Sequence, residues 1–256
     1  MGKSVKIENI KKDGNYYSPW KALNQQDGID LLKKGQMFAP KDLQVDLEAY
    51  CPHSCEFCSY RNVNWQDHGM DFDEPAKRVP EETGLPKEIA LRLPREMYEA
   101  GIPSIELTGG GEPMVYPYIR EMLDELGKYP IELAIVTNGA SLNEQIQSRL
   151  KNLKWIRFSI DSVTAETHSK VHRVPQSVFL VVVKHLKEVI SRGFDDCRVG
   201  VSFVITKQNY HEIEDAAHFY KGLGVNNIRF TFTYDPEGEG GLTPEETRLG
   251  ERSLNR

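Results

Sequence analysis

Residues 51–58 read CPHSCEFC and hold three of the chain's four cysteines, in the spacing CxxxCxxC. Three thiols this close are one short of an all-cysteine tetrahedral metal site and one too many for a single disulfide. Three readings follow. In the first, a structural zinc takes the three thiolates and a histidine, with His53 inside the motif and His68 beyond it as candidates. In the second, the cysteines are unrelated packing residues, which their clustering argues against. In the third, they ligate three irons of a cubane [4Fe–4S] cluster and leave the fourth iron open. The missing ligand is then the functional feature.

The stretch leading into the motif, LQVDLEAY (43–50), is strand-like. SIELTGG (104–110), ELAIVTNG (132–139), WIRFSIDS (155–162), VGVSFVIT (199–206) and NIRFTFTY (227–234) are five more runs rich in β-branched or aromatic residues, ending near Gly, Asn or Asp. Between them, YPYIREMLDELGKYP (116–130), SVFLVVVKHLKEVISRG (177–193) and YHEIEDAAHFYKGLG (210–224) carry helical periodicity. In the second of these, Val178, Val182, Leu186 and Val189 recur at three- and four-residue steps, and Gly193 stands where a C-cap belongs. Strands alternating with helices predict an α/β protein with a parallel sheet and right-handed crossovers. Periodicity fits a doubly wound sheet and a barrel equally; the motifs have to choose. Flanking the core are an N-terminal extension (1–42) and a short C-terminal tail (235–256). A polar, Pro-containing loop (62–86) separates the cysteines from the first full helix. In the tail, Thr243, Pro244 and Glu246 predict a capping-box start to a short surface helix.

Bulk properties narrow the function classes. Hydrophobic content of 39% and charged content of 27% describe an ordinary globular protein. A formal net charge of −6 argues against a dedicated nucleic-acid binder. No apolar run approaches the roughly 20 residues of a membrane span. The start, MGKSVKIENIKKDGNYY, lacks the apolar region of a secretory signal, and Lys6 stands where a myristoylation site needs Ser or Thr. With Cys197 the lone remaining cysteine, no disulfide framework is expected, and the chain is placed in a reducing cytoplasm.

A second motif, LTGGGEP (107–113), closes the second strand run. Three successive glycines let the backbone approach a ligand and expose its N–H and C=O groups. It is not a nucleotide-phosphate loop, because no Lys-Ser/Thr follows. Alone, Glu112 also reads as a solvated acid at a helix start.

CxxxCxxC after a first strand, with Phe57 before the third cysteine and GGGEP ending the second strand, resembles the radical S-adenosylmethionine (SAM) superfamily, across residues 43–234. The resemblance implies an α/β fold, a partial (β/α)6 TIM-type barrel of parallel strands open on one side, with its site on the C-terminal face. It implies that Cys51, Cys55 and Cys58 hold a [4Fe–4S] cluster whose open iron is chelated by the amino and carboxylate groups of SAM. Gly110, Gly111 and Glu112 would bind the SAM amino group, with Phe57, Ser159, Asp161, Arg173 and Asn209 as further cofactor contacts. For Ser159, Asp161 and Asn209, ordinary turn chemistry stays open; for Arg173, so does a plain surface position. His168 and His172, four apart, would share a helical face with a metal if other ligands completed it.

The implied activity is reductive cleavage of SAM to a 5′-deoxyadenosyl radical, which abstracts hydrogen from a small-molecule or peptide substrate beneath the 62–86 loop or the N-terminal extension. The electron would come from a donor such as a flavodoxin or ferredoxin. The core looks most like the branch that carries a C-terminal SPASM or twitch domain. Only Cys197 follows Cys58, however, so no auxiliary cluster is expected. Two alternatives remain: a zinc-stabilised scaffold, or an inactive SAM-binding subunit of a larger assembly.

Overall fold

The structure, a computed structural model, describes residues 26–58, 60, 83–233 and 242–254; His68 and most of the 62–86 loop lie outside them. The chain separates into two units, Met1–Pro40 and Lys41–Arg256. In the first, helix α1 (Gln26–Lys33) carries a Lys33–Asp30 ion pair at 3.0 Å.

The second unit holds the sheet. Its elements are β1 (Leu43–Asp46), α2 (Lys87–Ala100), β2 (Ser104–Thr108), α3 (Ile119–Leu126), β3 (Glu132–Thr137), α4 (Glu144–Gln147) and β4 (Leu153–Ser159). There follow α5 (Ala165–His172), α6 (Ser177–Arg192), β5 (Arg198–Ile205), α7 (Ile213–Leu223), β6 (Asn227–Phe232) and α8 (Pro244–Leu254). The six strands lie in sequence order, β1 to β6, and every neighbouring pair is parallel. A doubly wound sheet would reverse its order at a switch point. Here nothing reverses, which gives a barrel wall. Among the described residues β1 pairs only with β2 and β6 only with β5, so the wall is open on one side.

Register aligns the apolar positions into rows. Val45 lies beside Leu107, Leu107 beside Ile135, Ile135 beside Ile156 and Ile156 beside Val199. Phe203 lies beside Phe230. These side chains join Met97, Met122, Leu123, Val182, Leu186, Val189 and Tyr220 of the helices in one buried cluster. Each fully buried Leu, Ile or Phe contributes about 1.5–3 kcal/mol relative to exposure. Alternation then sends Thr108, Val136, Ser159, Val204 and Thr231 to the opposite face, inside the wall.

Caps set the helix limits. Gly193 ends α6 in the left-handed region (φ 57), its N–H donating to the Ile190 carbonyl. α4 and α5 have no long apolar period. They start where Asn143 Oδ1 accepts the Gln145 N–H and where Thr164 Oγ1 accepts the Thr167 N–H. In the tail, the Thr243 N–H donates to Glu246 Oε2 at 2.7 Å and the Glu246 N–H to Thr243 Oγ1 at 3.2 Å, the reciprocal pair of a capping box. Among the described residues no helix is long and apolar enough to cross a membrane.

Candidate active site

Every strand ends before its sequence run does, and the surplus residues form the site at the C-terminal face. After β1, Glu48 is buried, and its Oε1 accepts the Tyr50 N–H at 2.9 Å and the Thr83 hydroxyl. The loop that follows docks on the end of α5. The Ser54 N–H donates to the His172 carbonyl at 3.0 Å and the Glu56 N–H to the Val171 carbonyl at 3.2 Å. Two carbonyls with no partner inside the helix are thereby satisfied. Cys51, Cys55 and Cys58 line one cavity of about 600 Å³, together with the glycine loop and Glu112. All four cysteines are free of disulfides.

The glycine loop lies directly on this segment. Gly109 has φ +136, and a Cβ there would sit 2.7 Å from the Asp46 carboxyl carbon. A Cβ on Gly111 would sit 2.3 Å from the Glu48 carbonyl oxygen. Only glycine permits this approach. The Glu112 carboxylate is buried: Oε1 accepts the Met114 N–H at 3.0 Å and the Thr137 hydroxyl at 2.6 Å, and Oε2 accepts the Asn138 N–H at 2.7 Å. Burial pushes its pKa up, and these three bonds pull against that. Glu112 therefore fastens the end of β2 to the end of β3. Asn138 in turn donates through Nδ2 toward Cys51 Sγ, at 3.8 Å. Burial, then the Glu112 carboxylate, push the Cys51 thiol up to about 12. A thiolate at that position needs a cation to compensate it, as a metal does.

On the other wall, Asp161, two residues past β4, has a left-handed conformation (φ 57). Its Oδ1 accepts the Val204 N–H at 2.5 Å, and its Oδ2 lies 3.1 Å from His172 Nε2. The same Nε2 is 2.8 Å from the Ile160 carbonyl oxygen. His172 Nδ1 is 3.1 Å from Cys55 Sγ and 3.3 Å from His53 Nδ1. Burial opposes charge on His172, but Cys55 and Asp161 outweigh it and hold the ring up at about 10. His53 and His168 are pressed down to about 3, by burial first and then by His172.

His168 and His172 do share a helix face, and His53 joins them. Their ring nitrogens come within 4.8 Å of one another, and the rings of His168 and His172 are stacked at 4.2 Å. Both His172 nitrogens and His168 Nδ1 already face protein partners. The trio packs as an aromatic cluster.

The structure brings Cys51, Cys55, Cys58, Phe57, Gly110, Gly111, Glu112, Ser159 and Asp161 to the one cavity. It does not bring Asn209 or Arg173 there. Asn209 is fully buried: Nδ2 donates to the Asp161 and Val204 carbonyls, each at 2.8 Å, and Oδ1 accepts the Thr206 N–H. That is turn chemistry. Arg173 is exposed and closes α5 with φ 53. Asp161 lines the cavity with one carboxylate oxygen bonded to β5 and the other beside His172, itself accepting no hydrogen bond. Residues not singled out from sequence also line it, among them Tyr60, Asn138, Thr231 and Phe232. The TNG strand end announced Asn138; no local pattern announced Tyr60.

A thiolate loop and a glycine loop meeting at the carboxyl ends of an open parallel barrel define a cluster-bearing barrel enzyme. The chain belongs to the radical SAM superfamily, whose family model matches residues 49–220. It is 28% identical over 193 residues to the tungsten-containing aldehyde ferredoxin oxidoreductase cofactor-modifying protein of Pyrococcus furiosus, covering 73% of this chain and 49% of that protein. It is 32% identical over 200 residues to GTP 3′,8-cyclase of Aquifex aeolicus, covering 74% and 55%. Streptococcus suis SuiB bound to S-adenosylmethionine shares the fold, with a TM-score of 0.63 at 19% identity over 91% of this chain and 51% of that one. The chain spans about half the length of the curated relatives it matches.

The superfamily's cofactors are a [4Fe–4S] cluster and SAM, and the residues here fit both. Three soft thiolates in one loop suit iron–sulfur ligation. The glycine loop beside them exposes backbone polar groups next to a buried carboxylate.

Proposed function

We propose that this chain abstracts a hydrogen atom from a small-molecule or peptide substrate by radical SAM chemistry. One observation carries the reading: Cys51, Cys55 and Cys58 line the same cavity as Gly110, Gly111 and Glu112. When bound, the cluster supplies the electron that cleaves SAM to a 5′-deoxyadenosyl radical. Cys51, Cys55 and Cys58 hold it. The glycine loop and Glu112 receive the SAM ammonium group. Three donors occupy three of the carboxylate's roughly four acceptor positions, which leaves one for that ammonium. Ser159 stands at the β4 end of the same cavity, and Val204, Thr231 and Phe232 make the β5–β6 side against which substrate would rest. Phe57 and Tyr60 help exclude water.

The relatives' names support a range of substrates. One acts on GTP, and SuiB is also known bound to its precursor peptide SuiA. A flavodoxin or ferredoxin in the cytoplasm would deliver the electron. Anaerobic reconstitution with iron and sulfide should give about four irons per chain and a brown absorbance. Dithionite and SAM should then yield 5′-deoxyadenosine across a panel of peptides and nucleotides. Cys55→Ala should lose both cluster and product. Stoichiometric zinc in place of iron would sink the reading.

A further inference from the structure

We propose that His172, oriented by Asp161, donates a hydrogen bond to the Cys55 thiolate and thereby raises the reduction potential of the cluster that Cys55 helps to hold. The proposal rests on the radical SAM reading. Its geometry is a row of three neighbouring groups. Asp161 Oδ2 lies 3.1 Å from His172 Nε2, and His172 Nδ1 lies 3.1 Å from Cys55 Sγ. Both Asp161 and His172 are almost wholly buried, at 0% and 1% exposure, so water does not compete for these contacts.

The proton positions follow from the partners. Nε2 carries a hydrogen that faces the Ile160 carbonyl at 2.8 Å, while Asp161 Oδ2, 3.1 Å away and with no hydrogen bond of its own, acts on the ring through its charge. A cluster thiolate only accepts, so Nδ1 attracts Cys55 only as a donor. Asp161 itself cannot rotate away, because Oδ1 accepts the Val204 N–H and its backbone carbonyl accepts from Asn209 Nδ2. His172 grips the cysteine loop a second time through its backbone, whose carbonyl accepts the Ser54 N–H at 3.0 Å.

The arrangement parallels the carboxylate–histidine–metal triads of other metalloproteins, with a thiolate in the metal's place. Reduction adds negative charge to a cluster, and hydrogen bonds to its sulfurs stabilise that charge. Cys51 and Cys55 are treated unequally. Cys51 has the amide of Asn138 at 3.8 Å, whereas Cys55 has the imidazole at 3.1 Å. His172 is thus a positioning and tuning residue rather than a catalytic one.

The test is a redox titration followed by EPR on reconstituted wild-type protein, His172→Leu, His172→Gln and Asp161→Asn, each checked for iron content. His172→Leu should titrate at a more negative midpoint than wild type. His172→Gln, which keeps an N–H donor, should recover part of the shift. Asp161→Asn, which keeps an acceptor for the Val204 N–H, should shift the same way by less. If His172→Leu takes up no iron, the other two variants decide. Wild-type midpoints in every iron-loaded variant would overturn the proposal while leaving the radical SAM reading standing. A wild-type protein that binds no cluster would instead overturn that reading, and this proposal with it.

Discussion

The Glu112 N–H donates to the Tyr50 carbonyl oxygen at 2.9 Å, and a β-carbon on the neighbouring Gly111 would lie 2.4 Å from that same oxygen. The glycine loop and the segment entering the cysteines therefore meet at this oxygen as well as at the Glu48 carbonyl. Gly111→Ala has to push the two backbones apart, and overpacking of this kind costs about 1–3 kcal/mol. A lower thermal midpoint and weaker SAM binding in equilibrium dialysis are expected. An alanine variant that melts and binds like wild type would refute the close-approach account.

Glu112→Gln should be nearly as damaging despite its equal size. The carboxylate faces only donors, namely Met114, Thr137 and Asn138. Either orientation of a glutamine amide points its own N–H groups at one of them. A buried donor without an acceptor costs about 1–3 kcal/mol, which urea denaturation of the variant should register.

Asn209 and Arg173 separate holding the fold from holding a ligand. Asn209→Ala leaves the Asp161 and Val204 carbonyls and the Thr206 N–H without their side-chain partner. Stability should fall by about 1–3 kcal/mol, and SAM affinity, measured well below the melting point, should stay close to wild type. Arg173→Ala, at an exposed position, should change stability by no more than about 0.5 kcal/mol. A large loss of SAM affinity in either variant would return that residue to the cofactor site.

Cys197, which is half-buried, reports that burial through its chemistry. Burial pushes its thiol from the ordinary 9.0 up to about 11. At pH 8 its thiolate fraction is then lower by about a hundredfold, ten for each pKa unit. Alkylation of Cys197 by iodoacetamide, followed by mass spectrometry, should be slow in the folded protein and fast in urea. The sign for stability follows. A folded pKa above the unfolded one contributes stability fully present below pH 9.0 and lost as pH rises through about 11. Cys197→Ala should flatten that part of the alkaline unfolding profile. Equal alkylation rates in both states would contradict the assignment.

The strands were legible because β-branched and aromatic residues cluster between turn residues, and because the register aligns apolar residues already spaced by two. α4 and α5 were not, since each is short and owes its start to a single cap, Asn143 or Thr164. Cys51, Cys55 and Cys58 with Gly110–Glu112 were legible because each set is compact in sequence. The contact between His172 and Cys55 was not, for it joins residues 117 positions apart and leaves no periodic trace. Asn209 shows the converse limit. An asparagine after a strand suits a ligand and a turn equally, and only its hydrogen bonds tell which.

The cysteine loop leaves the first strand, yet its amides bind the helix that follows the fourth. It therefore runs as a chord across the arc made by β1 to β4. The arc cannot flatten or tighten without straining the bonds from Ser54 to His172 and from Glu56 to Val171. The loop that carries Cys51, Cys55 and Cys58 is thus fastened at both ends, to β1 by the chain and to the helix after β4 by two amides.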